Sequence, residues 1–146
     1  MSATNAFETA LLGLIITNAN LPNLGDATGL RGATGAGVFW ITLHTADPGE
    51  AGTQTTSETT YTNYARQDEP RDTNAWTVTN DTADNDVAIG FPTCGATGAT
   101  LSHFGMGSDT SGAGNLFLYG ALTSSLAVSN GITPSFAAGA LDITLN

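Results

Sequence analysis

Lysine is absent from this 146-residue chain, and its basic side chains are Arg31, Arg66 and Arg71 against 13 acidic residues, a net charge of −10. A field of that sign repels phosphate backbones, so nucleic acid is not expected as a direct partner. Cysteine occurs once, as Cys94, which excludes an internal disulfide framework. With no histidine or basic residue beside it in sequence, Cys94 reads as a small buried filler and not as a nucleophile. Long apolar runs are also missing. Leu11 to Ile16 is too short to span a bilayer, and the residues before it hold Glu8 and no positive charge, unlike a secretory signal. No membrane partner is expected.

Charged residues make up only 11% of the chain, where about a quarter is usual. Threonine, glycine, alanine and asparagine take their place, so the surface is solvated by neutral hydroxyls and amides. The length fits a single domain, residues 1–146, with enough chain to bury a core without metals or disulfides.

The chain is organised around Val38-Phe39-Trp40-Ile41-Thr42-Leu43-His44-Thr45, a strand with Phe39, Ile41 and Leu43 on one face and Trp40, Thr42 and His44 on the other. Bulky side chains on both faces call for cover on both sides. Asp47-Pro48-Gly49 then ends it, by fixing a backbone angle, removing a ladder donor and supplying a permissive turn residue.

Ahead of that strand, residues 5–17 carry the one helical pattern. Asn5 and Glu8 have the spacing of a capping box, and Phe7, Leu11, Leu14 and Ile15 recur on one face. Residues 18–37 form a glycine-rich arm interrupted by Pro22 and Gly25, Gly29, Gly32, Gly35 and Gly37. It lacks the Gly-Lys-Ser/Thr ending and following helix of a phosphate cradle, and only Arg31 is there to meet an anion.

Behind the strand, residues 50–63 read as a threonine-rich loop and residues 67–74 as a solvated edge with local ion pairs around Pro70. Residues 75–79 form a strand with Trp76 and Val78 inward. Residues 80–86 read as an acidic turn, whose spacing is not that of an EF-hand, so a plain turn is preferred over a calcium site. Val87, Ile89 and Phe91 alternate in a further strand, as do residues 101–106, which carry His103. The strand 115–122 is apolar on both faces, with Phe117, Tyr119 and Ala121 on one and Leu116 and Leu118 on the other, and so belongs to an interior or an interface. Asn130-Gly131 signals a hairpin, and Leu141, Ile143 and Leu145 close the chain in a last strand. About eight strands behind one helix predict an all-β antiparallel sandwich, jelly-roll-like.

The only candidate bases are His44 and His103. No Gly-x-Ser-x-Gly elbow accompanies them, and both read as strand histidines bonded locally. No residue is assigned a catalytic, cofactor-binding or metal-binding role.

These motifs carry a resemblance. Leu43-His44-Thr45-Ala46-Asp47-Pro48-Gly49-Glu50-Ala51-Gly52-Thr53, then Tyr64-Ala65-Arg66, Ile89-Gly90-Phe91-Pro92, His103-Phe104-Gly105, Tyr119-Gly120-Ala121-Leu122-Thr123 and Phe136-Ala137-Ala138-Gly139-Ala140-Leu141 follow one another in order. The chain resembles, from about residue 5 to its end, a family of small tailed-bacteriophage virion proteins. Members are often labelled tail-fibre proteins, and some related phage proteins act as capsid cement. The segment Arg66-Gln67-Asp68-Glu69-Pro70 departs from the family's alternation, which leaves its edge pairing open.

The resemblance implies a structural virion component and no enzyme. The expectation is a capsid decoration or cement protein on the outer capsid surface, bound to the major capsid protein and self-associated as a dimer or trimer. The alternative is a tail or tail-fibre component with a receptor- or glycan-binding face built from Trp40, Trp76 and Tyr64. The helix and the glycine-rich arm are the expected contacts with neighbours. A polysaccharide hydrolase would require two opposed carboxylates in a cleft.

Overall fold

The computed structural model describes residues 3–25 and 29–144. Among these residues the fold is all-β, with nine strands in antiparallel sheets and one short helix, as the patterning predicts. In chain order these are α1 (Asn5–Ile16), β1 (Val38–His44), β2 (Gln67–Pro70), β3 (Trp76–Thr79), β4 (Thr82–Asn85), β5 (Ile89–Gly90), β6 (Ala99–Gly107), β7 (Leu116–Val128), β8 (Ser135–Phe136) and β9 (Asp142–Thr144). The strand orders are β2-β1-β6-β7, β3-β4-β9 and β5-β8. The chain gathers into two compact units, one of Met1–Gly37, Pro70–Ala88 and Phe136–Asn146, the other of Val38–Glu69 and Ile89–Ser135.

In the first unit, α1 packs on β3 and β4. Its cap is Thr4, whose side chain accepts the Phe7 N–H, so Asn5 is already helical and the Asn5–Glu8 capping box does not form. The buried residues are Leu12 and Ile16, while Phe7 and Ile15 stay exposed. The docking face is therefore turned from the one the apolar spacing marks, because Leu12 and Ile16, one turn apart, face the strands. Arg71 closes the other end. Its guanidinium donates to the Ile15 and Leu14 carbonyls, the latter at 2.7 Å, and to Ala36 O at 3.1 Å. A cation at a helix C-terminus satisfies orphan carbonyls and opposes the dipole.

The described parts of the glycine-rich arm, residues 18–25 and 29–37, bond to each other. Leu21 and Leu30 exchange both backbone hydrogen bonds, at 2.8 and 2.9 Å, and the Asn18 amide brackets Ala33 at 2.6 and 2.9 Å. The expected acidic turn at residues 80–86 is instead a hairpin. Asn80, at φ 56°, turns the chain, and Thr82–Asn85 pair with Thr79–Trp76. The strand was hidden because its inward residues, Ala83 and Asn85, are small or polar. Asn85 is fully covered, and its amide ties Val87 O, Ala137 O, Ala140 N and Leu141 N together, standing where an apolar residue would be expected. β9 then adds to β4 with Ile143 opposite Ala83; Leu145 lies outside the described residues.

In the second unit, β1 and β6 pair from Trp40↔Gly107 to His44↔His103. Phe39 and the run Ile41 to His44 are buried, so β1 is covered on both faces as its composition requires. Gly49 N–H bonds the Asp47 carboxylate at 2.8 Å in the turn that ends the strand's excursion. β2 does join β1, as the edge of this sheet. The opposite edge is β7, which runs on to Val128 and absorbs the segment around Leu126. It is bulged: between Leu101↔Leu126 and His103↔Ala121, β6 advances two residues and β7 five. Asn130-Gly131 does form a turn, with Ile132 N–H on Ser129 O at 2.9 Å. It makes no hairpin, because the chain beyond it bonds to the 91–94 segment through Phe91 N to Pro134 O and Cys94 N to Ile132 O.

Candidate functional site

The polar side chains of the second unit converge on the far face of β1. There Gly105 and Gly107 lie opposite Thr42 and Trp40 in the ladder and leave two openings in the sheet surface. A β-carbon at position 105 would stand 2.5 Å from Thr42 Oγ1 and 2.9 Å from His44 Nε2; one at position 107 would stand 2.2 Å from the Gln54 Cδ. The glycines are needed for that close approach. Into the first opening fits the His44 ring. Its Nδ1 bonds Thr56 O at 2.8 Å, so Nδ1 carries the proton, and its Nε2 accepts from the Thr42 hydroxyl at 2.7 Å. The ring is neutral, and burial holds its pKa below the ordinary value despite the Thr56 carbonyl and the Glu58 charge. Into the second opening fits Gln54, whose amide clasps Asp109 by donating to its carbonyl at 3.1 Å and accepting its N–H at 3.0 Å.

Next to it lies a buried ion pair. Arg66 grips Glu58 through two bonds of 2.7 Å and uses its remaining donors on the carbonyls of Asp109 and Gly112, each at 2.7 Å. The Tyr64 hydroxyl donates to Glu58 at 2.9 Å and accepts the Leu43 N–H at 3.1 Å. Hydrogen bonding to Glu58 raises the Arg66 pKa, and burial raises that of Tyr64. The Tyr64 ring stacks on Phe91 and meets Tyr61 edge-on, whose own hydroxyl burial pushes up to about 12. Above this floor is an open groove of about 620 Å³, rimmed by Thr55, Thr60, Thr62, Asn63, Thr110 and Ser111. Its floor groups are joined to each other and to the loop backbone, so what this arrangement does is fasten residues 53–66 and 108–114 onto the sheet.

The other residues singled out in the sequence fall elsewhere. His103 sits opposite His44 and bonds its neighbour Ser102 at 2.9 Å. Cys94 is buried, its thiol donating to Gly95 O and Thr97 O. Trp76 is buried too, with its indole N–H on Pro70 O at 3.0 Å, and therefore offers no surface for a glycan. Trp40 is half-buried and the Tyr64 hydroxyl is engaged, so the exposed aromatics are instead Phe7, Phe117 and Tyr119. Nor is the 67–74 segment simply a solvated edge. Glu69 is buried, with one carboxylate oxygen lacking a partner among the described residues, and burial, followed by the Asp68 charge, raises its pKa. Among the described residues no group of three or more His, Cys, Asp or Glu is arranged to hold a metal ion. Gln54 and Glu58, which the sequence reading passed over inside a threonine-rich loop, are the residues the arrangement depends on most.

An all-β framework that directs its buried polar groups at its own loops has the character of a structural protein. The chain belongs to the family of tailed-phage virion proteins described as Podophage GP4 fiber I protein gp80, whose model matches residues 3–144. No curated protein matches it.

Proposed function

We propose that the chain is a structural subunit of the phage fibre apparatus, contributing a rigid β framework and assembly surfaces and no chemistry of its own. The family match over residues 3–144 carries this reading. The internal use of Arg66, Glu58, Tyr64, His44 and Gln54 supports it, since these polar groups beneath and beside the groove are spent on one another and on the loop backbone. The fastened loops 53–66 and 108–114 keep the hydroxyl-rich groove in one shape without a ligand.

The second reading is the decoration role, on the outer capsid surface against the major capsid protein. The charge of −10 favours it, because an acidic subunit stays soluble before assembly and suits a surface turned away from the genome. Gold-labelled antibody on purified virions, with densitometry of the subunit against the major capsid protein, separates the two. Label at the tail and a low copy number are expected; label over the head, in proportion to capsomers, overturns the fibre placement in favour of decoration.

A further inference from the structure

The two edges of the four-stranded sheet are unlike. β2 is four residues long, carries Asp68 and Glu69 and ends in Pro70, which has no N–H to offer. Short length, charge and proline are the usual guards against edge-to-edge pairing. β7 is 13 residues long and has neither charge nor proline. Among the described residues no strand pairs with its outer side. Its apolar side chains are not withdrawn: Phe117 is 54% exposed, Leu126 40% and Tyr119 37%.

The charge distribution says what kind of surface fits there. From Thr110 to Leu141 the chain has no charged residue, although the whole carries −10. Two copies brought together over the acid-bearing segments would set acid against acid, which the β7 edge avoids, and a basic partner would be drawn to the acidic surfaces instead.

We propose that β7 is the self-association edge, and that two copies pair their β7 strands antiparallel about a two-fold axis. The sheet then continues from one copy into the next, β2-β1-β6-β7 followed by the same order reversed. An edge's alternating donors and acceptors match a second copy of themselves when the strand is turned around, which is what an isologous contact requires. The bulges on β7 leave Leu118–Ala121 as the longest regular run, opposite Met106–His103, and so restrict the register a partner can take. This inference rests on the reading of the chain as an assembly subunit and is independent of whether that assembly is fibre or head.

The test is sedimentation equilibrium of the wild type and of Ala121→Glu, a change at an exposed position of the regular run that places a carboxylate from each copy in an otherwise uncharged contact. The expected result is a wild-type dimer, and a variant at least tenfold weaker in association with unchanged circular dichroism. A monomeric wild type, a three-fold oligomer, or a folded variant that associates as well as the wild type overturns the proposal. Should the variant not fold, hydrogen exchange of the associated wild type decides. Protection of both inward and outward amides across 118–121 supports the pairing, and protection of the inward set alone overturns it. Virion labelling can fail to place the subunit on fibres while the dimer persists, so the two readings fail separately.

Discussion

Replacing Arg66 by methionine leaves the Glu58 carboxylate covered, with only the Tyr64 hydroxyl bonded to it. Removing one partner of a fully buried ion pair costs about 3–5 kcal/mol, and because Glu58 borders the open groove the loss expected here is about 1–3 kcal/mol. The midpoint of urea unfolding should fall accordingly, and a shift of under half a kilocalorie would show that the pair is in fact well solvated. His44 makes a prediction of defined sign. Its folded pKa lies below the ordinary 6.5, so the unfolded chain binds more protons in the window beneath that value. Stability is therefore complete above pH 6.5 and declines as the pH falls from there toward the folded value. Thermal melts between pH 8 and 5 should show this slope, and His44→Gln should flatten it. At this scale the sequence was partly legible. His44 as a locally bonded strand histidine follows from its place in an alternating run, whereas Gln54 and Glu58 sit among threonines with no period, and only the chain's return over β1 gives them partners.

The sheet surfaces and hairpins make their own demands on substitution. Alanine at Gly107 would drive its methyl group into Gln54, displacing the side chain that clasps Asp109. A loss of about 1–3 kcal/mol is expected for such overpacking. Faster hydrogen exchange in residues 53–59 should accompany it, and unchanged exchange there would separate the glycine from the loop's anchorage. On the β4–β9 pair, Asp84 stands opposite Asp142. Burial first, then the hydrogen bond and charge of Asp142 and the charge of Asp86, raise the Asp84 pKa. The stabilisation that comes with its proton is full below its ordinary value of 3.8 and is lost as the pH rises through the higher folded value. Asp142→Asn should then stabilise the protein at pH 7 by about 0.5 kcal/mol, a gain that shrinks on acidification. Equal melting of both proteins at pH 7 would contradict it. Elements with apolar alternation, such as β1 and β3, were legible from sequence. β4 was not, because acids and small residues alternate there, and the Asn130-Gly131 turn gave the right local geometry with the wrong pairing, since turn chemistry does not say which strand comes alongside.

For the molecule as a whole, the charge of −10 acts against bringing copies together. Raising the ionic strength from about 0.1 to 1 M shortens the screening length from about 10 to 3 Å. Association through an uncharged edge should therefore tighten with salt, as read by sedimentation; weakening would indicate that ion pairs hold the copies. The all-β class and the virion family were within reach of the sequence, the first from alternation and turn residues, the second from ordered motifs such as Leu43 to Thr53. The strand order was not, because registers depend on contacts between residues as distant as Trp40 and Gly107.

The covered sulfur of Cys94 has a practical side. Maleimide dyes should pass over the native thiol, so one cysteine introduced at exposed Ser111 would give the subunit a single point of attachment for a fluorophore. Such a label would let individual particles be followed by light microscopy while they meet their host.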